Sequence, residues 1–278
     1  MFTKDMNLKR DYAISKVWSA INDHGGQTVL STGITGDDAR LAKAVVDVGI
    51  KMLEPNHPAV ALSRGHRGLT TMNDAESIRH EIHLSEMTEV IRGLRNVIGE
   101  EPFITAGVPG GFTEVKPIYL SEDDFQAISL SGADSPHTHK CHLDDLRNIV
   151  EKAHKYGLLV DAYISHPDDE QSTGIPASTP EDVAKISKEM EDMGVDMIGL
   201  MTGMTYKGLG AGEISDETKE RLDALVSTVS VPTLAEGGIN LENFQAFKDT
   251  GVHVLVIGTS FNHVVQKAVQ DVVKKYLS

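Results

Sequence analysis

Cysteine is nearly missing from this chain: Cys141 is the only one in 278 residues, so no internal disulfide can form and a reducing compartment fits. Basic residues are also short. Twenty-six Lys and Arg against 41 Asp and Glu give a formal charge of -15, and broad contact with nucleic acid or an anionic membrane needs clustered cations to displace counterions. Neither is an expected partner. Long apolar runs are absent too. No stretch reaches membrane-spanning length, and Met1 to Asp11 carries charges where a secretory peptide needs an apolar core, so a cytoplasmic protein is expected. Low-complexity tracts and short-period repeats are likewise lacking.

The chain is 40% hydrophobic and 24% charged, which suits one domain over residues 1–278. Apolar period and turn residues mark eight strands, centred near Leu30, Leu53, Ile104, Leu130, Val160, Ile198, Leu234 and Val256. Helical patterns alternate with them over Asp38–Val48, Ala75–Ile98, Leu143–Tyr156, Pro180–Met193, Asp216–Val226, Leu241–Lys248 and Val264–Tyr276. Thr179-Pro180 is a helix start with proline at the first position, and Gly157, Gly194 and Gly251 stand where left-handed caps end helices. Strict alternation implies parallel strands. The predicted fold is α/β, a (β/α)8 TIM barrel, with an extra N-terminal helix over Leu8–Asn22 covering the barrel floor; a doubly wound open sheet is the alternative. The second unit is long, and the third helix is poorly defined between Thr113 and Gln126.

Two turns near the carboxyl end carry the strongest functional signal. Val231 to Ile239 reads Val-Pro-Thr-Leu-Ala-Glu-Gly-Gly-Ile, and His253 to Phe261 reads His-Val-Leu-Val-Ile-Gly-Thr-Ser-Phe. Loops after the last two strands of such a barrel often bind phosphate. Gly237 and Gly238 let the backbone approach an anion, while Gly258, Thr259 and Ser260 precede a helix whose free N–H groups favour negative charge. A small phosphorylated substrate is therefore the expected ligand. The basic stretch Ser63-Arg64-Gly65-His66-Arg67-Gly68, within Asn56–Asn73, reads either as a lid of Arg64, His66 and Arg67 closing over that anion or as a solvated loop.

Residues at the carboxyl ends of barrel strands face the pocket. Those residues are Ser31, Thr32, Glu54, His57, Thr105, Ser129, Ser131, Asp134, His137, His139, Asp161, Tyr163, Ser165, His166, Thr202 and Glu236. Glu236 adjoins the glycines and reads as a base whose pKa burial would raise, or as half of an ion pair with Lys207 or Arg64. Alternation puts Asp161 with Tyr163 and Ser165 on the inward face, where an acid either acts in catalysis or fixes a polar network; Glu54 is similar. His137 and His139 project the same way from an extended segment, and Glu54, Asp161 or Glu236 could complete a metal shell. Solvated or capping histidines and acid/base roles compete with that reading. The residues commit to no cofactor; a divalent metal stays open. No predicted strand ends in lysine, so a Schiff base has no obvious carrier.

From about Leu158 to Phe261 the order of motifs resembles N-acetylmannosamine-6-phosphate 2-epimerase and the ribulose-phosphate-binding barrel superfamily around it. The stretches are Leu-Val-Asp-Ala-Tyr-Ile-Ser, Asp196 to Gly208, Leu-Ala-Glu-Gly-Gly-Ile-Asn and Val-Leu-Val-Ile-Gly-Thr-Ser. The resemblance implies a catalytic Glu236, Asp161 as the strand-five acid, and a phosphate cradle of Gly237, Gly238, Gly258 and Thr259. At the end of strand three, where those epimerases carry a lysine, this chain has Ile104-Thr105-Ala106-Gly107. The expected function is a phosphosugar-type isomerase or epimerase moving a proton next to a carbonyl, with Glu236 as base and Asp161, His137 or His139 returning the proton. The alternatives are a metal-assisted hydrolase or lyase using His137 and His139, and a non-catalytic barrel that binds a phosphometabolite. The amphipathic helices leave room for a homo-oligomer.

Overall fold

Alternation of side chains along short strands decides this architecture, because each strand sends one set of residues to the barrel axis and the other toward covering helices. The computed structural model describes residues 5–33, 38–66, 68–69, 74–75, 78–109, 111, 118–169, 172–203 and 214–278. Its strands are β1 (Val29–Thr32), β2 (Met52–Leu53), β3 (Phe103–Gly107), β4 (Ser135–Thr138), β5 (Asp161–Ser165), β6 (Ile175–Pro176), β7 (Met197–Met201), β8 (Thr233–Glu236) and β9 (Val254–Ile257). All pair in parallel; β1 meets β9, and β4 meets β5, so the sheet closes on itself. β6 is a two-residue addition beside the end of β5, and the other eight strands form the barrel.

The helices are α1 (Met6–Asp23), α2 (Ala39–Asp47), α3 (His57–Ser63), α4 (Leu84–Ile98), α5 (Glu122–Ser131), α6 (Leu143–Lys155), α7 (Pro180–Asp192), α8 (Asp216–Thr228), α9 (Phe244–Lys248) and α10 (Thr259–Leu277). This is the expected (β/α)8 barrel with an additional N-terminal helix. Local chemistry sets several helix starts: the Thr179 and Ser121 side chains accept from the N–H groups of Asp182 and Asp124, and each of those carboxylates reaches back to the cap. Gly157, Gly194 and Gly251 take the left-handed conformations expected after helix ends.

Two apolar layers follow from the alternation. Outward residues, among them Ile104, Ala162, Ile164, Ile198, Leu200 and Leu255, pack under the helices. Inward residues Met52, Phe103, Leu159, Met197, Leu234 and Val254 form a separate cluster with Ala13, Val17, Ala20 and Ile21 of α1. Thus α1 stoppers the amino-terminal end of the barrel, as expected for the floor.

Strand four lies later than expected. Leu130 belongs to α5 and is 56% exposed; β4 is built from Ser135, Pro136, His137 and Thr138. A strand carrying Ser, Pro, His and Thr has no apolar period, so the hydrophobic run one turn earlier, which is helical, took its place in the reading. Ser129, Ser131 and Asp134 consequently move from the catalytic rim. Ser129 and Ser131 sit in α5, and Asp134 precedes β4 at the floor, accepting from Lys16 Nζ at 2.8 Å, Arg95 Nη2 at 2.7 Å and the Ile104 N–H at 2.9 Å. The single helix expected over Ala75–Ile98 is interrupted: Asp74 and Ala75 are helical, a 3-10 turn stands at Arg79–Glu81, and the long helix starts at Leu84. The segment Asn56–Asn73 starts as a helix, α3, with Pro58 in its first turn and the Asn56 side chain as cap.

Asp134 neutralises two cations whose side chains are each 6% exposed. Removing one partner of such a group leaves charge buried without compensation, at a cost of about 3–5 kcal/mol. Asp134→Ala should lose stability on that scale, read from the midpoint of urea unfolding, and a midpoint equal to that of the parent protein would refute the clamp between α1, α4 and β4.

Candidate metal and acid–base centre

Four strands deliver the polar groups that meet near the axis. His137 points inward from β4, and the chain remains extended for two more residues, so His139 follows on the same face. The His139 N–H donates to the Gly111 carbonyl at 2.7 Å, which fixes that extension. The two imidazole centroids are 4.4 Å apart with planes at 65°. From β5, Asp161 stands opposite His137 in register. Its carboxylate accepts from His137 Nδ1 at 2.7 Å and from Thr105 Oγ1 at 2.9 Å. With Nδ1 occupied, only Nε2 of His137 faces the neighbouring carboxylates.

Two further carboxylates face that nitrogen. Glu54 follows β2, with Oε1 3.7 Å from His137 Nε2. Glu236 ends β8, with Oε2 3.6 Å from His137 Nε2 and 3.8 Å from His139 Nε2. Tyr163 lies edge-on to both rings, with centroids 5.0 and 5.2 Å away. Its ring fits because the residue opposite on β7 is Gly199, where a Cβ would overlap the phenol. Among the described residues, Oε2 of Glu54 and Oε2 of Glu236 make no hydrogen bond, although both are buried. Buried carboxylate oxygens without partners are costly, and the donor set around them is that of a divalent cation site.

Electrostatics divide the labour. Burial opposes charge on His137, yet Glu54, Asp161 and Glu236 outweigh it and raise the imidazole to about 10. Burial pushes Glu54 well above the usual carboxylate range, against the pull of His137. For Glu236 burial again opposes ionisation, but His137, His139 and Tyr163 hold its pKa down. Burial and the charge on His137 lower His139, and burial with the neighbouring acids raises Tyr163. Near neutrality the metal-free cluster therefore favours His137 as imidazolium, Glu236 as carboxylate and His139 as neutral imidazole, while burial favours the protonated form of Glu54. Two carboxyl groups pushed in opposite directions are a recurring arrangement for proton transfer.

The expected site residues thus separate into groups. Glu54, His137, His139, Asp161 and Glu236 come together. Gly237 and Gly238 turn with φ of 99° and 71°, values glycine adopts freely, while Thr202 Oγ1 donates to the Glu236 and Gly237 carbonyls and braces that bend. Gly258 caps α10, whose first turn holds Thr259 and Ser260. Because Glu236 pairs with Val256, the two glycine bends leave the barrel side by side. Arg64 is bonded to Glu86 at 2.8 Å rather than to Glu236. His66 closes the turn after α3, its N–H donating to the Ala61 carbonyl; Arg67 and Lys207 lie outside the described residues. The contribution of Gly199 escaped the sequence reading, since a glycine within an apolar strand gives no hint of which aromatic ring it admits.

No protein-family model and no curated protein matches this chain. Solved structures do. Oxaloacetate acetylhydrolase in complex with the product oxalate aligns with a TM-score of 0.60 at 16% identity, over 92% of this chain and 83% of that one. 2,3-Dimethylmalate lyase, a PEP mutase/isocitrate lyase superfamily member, gives 0.63 at 14%, over 95% and 86%. Tryptophan synthase from M. tuberculosis gives 0.62 at 11%, over 91% and 92%. The shared feature is the barrel. At these identities the similarity carries the fold alone; it lends no support to the epimerase likeness, and β3 ends in Thr105, Ala106 and Gly107 without a lysine. No described helix is long and apolar enough to cross a membrane.

A group whose folded pKa is raised stabilises the protein below its ordinary value and ceases to do so as the pH climbs through the folded one. For His137 the ordinary value is 6.5 and the folded one about 10. Chelator-treated protein should therefore lose thermal stability over that interval, and His137→Phe should flatten this part of the profile. Parallel profiles for the two proteins would show that the imidazolium is not held as described.

Proposed function

We propose that this chain is a divalent-metal-assisted lyase that cleaves a bond next to a carbonyl in a small oxo or hydroxy acid. The observation that carries the reading is the convergence of two imidazoles and two carboxylates at the carboxyl ends of β2, β4 and β8, the end where barrel enzymes perform their chemistry. An ion bound there would polarise the substrate carbonyl as a Lewis acid. Cleavage of the bond to a hydroxyl-bearing neighbour turns that neighbour into a carbonyl, releases its hydroxyl proton to solvent and leaves the bonding electron pair on the carbon next to the first carbonyl. Glu54, whose protonated form burial favours, would return a proton to it, and Asp161 would keep His137 in one tautomer and orientation. The adjacent glycine bends after β8 and β9 offer backbone donors to an anionic end of the substrate.

Support from similarity is limited to architecture, but it runs in the same direction: proteins named for acting on oxaloacetate and dimethylmalate share the barrel. The isomerase reading took Glu236 as a base whose pKa burial would raise. Its carboxylate instead faces two imidazoles that keep it ionised, which suits an ion ligand better than a proton acceptor.

The test is product analysis by NMR on a panel of 2-oxo acids, alkylmalates and phosphosugars, with and without chelator. We expect cleavage of a member of the acid classes that stops on chelation. Glu54→Gln should reduce it by about 10²–10⁴-fold, the usual contribution of a general acid or base. Isomerisation of a phosphosugar that survives chelation would replace this reading with the proton-transfer one.

A further inference from the structure

The two carboxylates facing His137 are not equivalent, and their difference points to which ion the centre takes. His137 can offer only Nε2, because Nδ1 is committed to Asp161 at 2.7 Å. Around that nitrogen, Glu236 Oε2 stands at 3.6 Å, and the same oxygen is 3.8 Å from His139 Nε2. Three donors each about 2.1 Å from one tetrahedral ion stand about 3.4 Å from one another. The two separations from Glu236 Oε2 are close to that ligand edge, and all three donor atoms lie within 4.8 Å of one another. The triad is also open on one side: His137 and His139 are 1% exposed at the side chain, whereas Glu236 is 14% exposed and faces the rim.

We infer that His137 Nε2, His139 Nε2 and Glu236 Oε2 form a facial site for a borderline transition-metal ion such as Zn²⁺, Fe²⁺ or Co²⁺, with Asp161 orienting His137 from behind and Glu54 outside the coordination sphere. This rests on the metal-assisted reading above and assigns the ion and its ligands. Imidazole nitrogen suits those metals, while Mg²⁺ prefers oxygen donors in octahedral arrangement with several waters. A pocket with two of three ligands from imidazole therefore selects against Mg²⁺. Two histidines with one carboxylate and open positions is also the pattern typical of non-haem iron. Glu54 Oε1 stands 3.7 Å from His137 Nε2, and among the described residues no ion pair joins Glu54 to His139.

Co²⁺ alone is the probe, titrated into the chelator-treated full chain and followed by its visible d–d bands and by equilibrium dialysis. One Co²⁺ per chain should bind with bands stronger than those of the hexaaqua ion, Zn²⁺ should displace it, and a hundredfold excess of Mg²⁺ should not. His139→Ala and Glu236→Gln should weaken Co²⁺ by more than 100-fold. Asp161→Asn should weaken it 10–100-fold, the range for lost outer-shell partners, and Glu54→Gln by less than threefold. Displacement by Mg²⁺, or equal losses for Glu54→Gln and Glu236→Gln, would overturn the assignment; the Mg²⁺ competition uses the unaltered protein, so a misfolded variant does not shield it. Co²⁺ binding as described without cleavage of any acid sinks only the lyase reading, and cleavage supported by Mg²⁺ alone sinks only the ion assignment.

Discussion

The contact on which the centre depends is the 2.7 Å pairing of Asp161 with His137 Nδ1. Both residues are fully buried, in surroundings where an isolated charge would be untenable. Thr105 Oγ1 supports the carboxylate from β3, and the Asp161 carbonyl accepts from Thr138 Oγ1 on β4, so three neighbouring strands lock one imidazole in place. Its other ring nitrogen, Nε2, then has a single direction available. Glu54 and Glu236 reach that direction from β2 and β8, strands that do not touch β4 or β5 in the sheet, apart from β2 joining them through β3. Closure of the barrel is therefore a condition of the cluster: an open sheet with the same strand order would hold the imidazole and Glu236 far apart.

A polar axis of this kind needs a dry, rigid base beneath it. Met52, Phe103, Leu159, Met197 and Leu234 supply it together with α1, and the buried Asp134 group ties that helix to the strands through Lys16. Apolar packing below and a charged cluster above are successive layers of the same inward-facing residues. One register sets both, since a shift by one residue in any strand would exchange its axial and outer side chains.

Much of this was legible in the amino-acid order. Strand and helix alternation, the glycine caps and the N-terminal helix follow from period and turn chemistry, and alternation alone put Asp161 on the inside with Tyr163. The misplaced strand four shows where that reasoning stops. Ser135, Pro136, His137 and Thr138 carry no apolar signal; they become a strand because the neighbouring strands on both sides offer backbone partners, an influence that no local window contains. Glu236 was legible as an inward acid, but its protonation was read with the wrong sign. Burial was visible beforehand, whereas the two imidazoles that outweigh it are distant in the chain and meet it only in the closed fold.

The stopper formed by α1 has a kinetic corollary. A vessel sealed at one end has a single mouth, so whatever enters must depart along the way it came. For a reaction that splits one molecule in two, the piece lying nearer the bottom is trapped behind the other. For the cleavage proposed above, departure would then be ordered by depth, with the shape of the vessel deciding which piece leaves first.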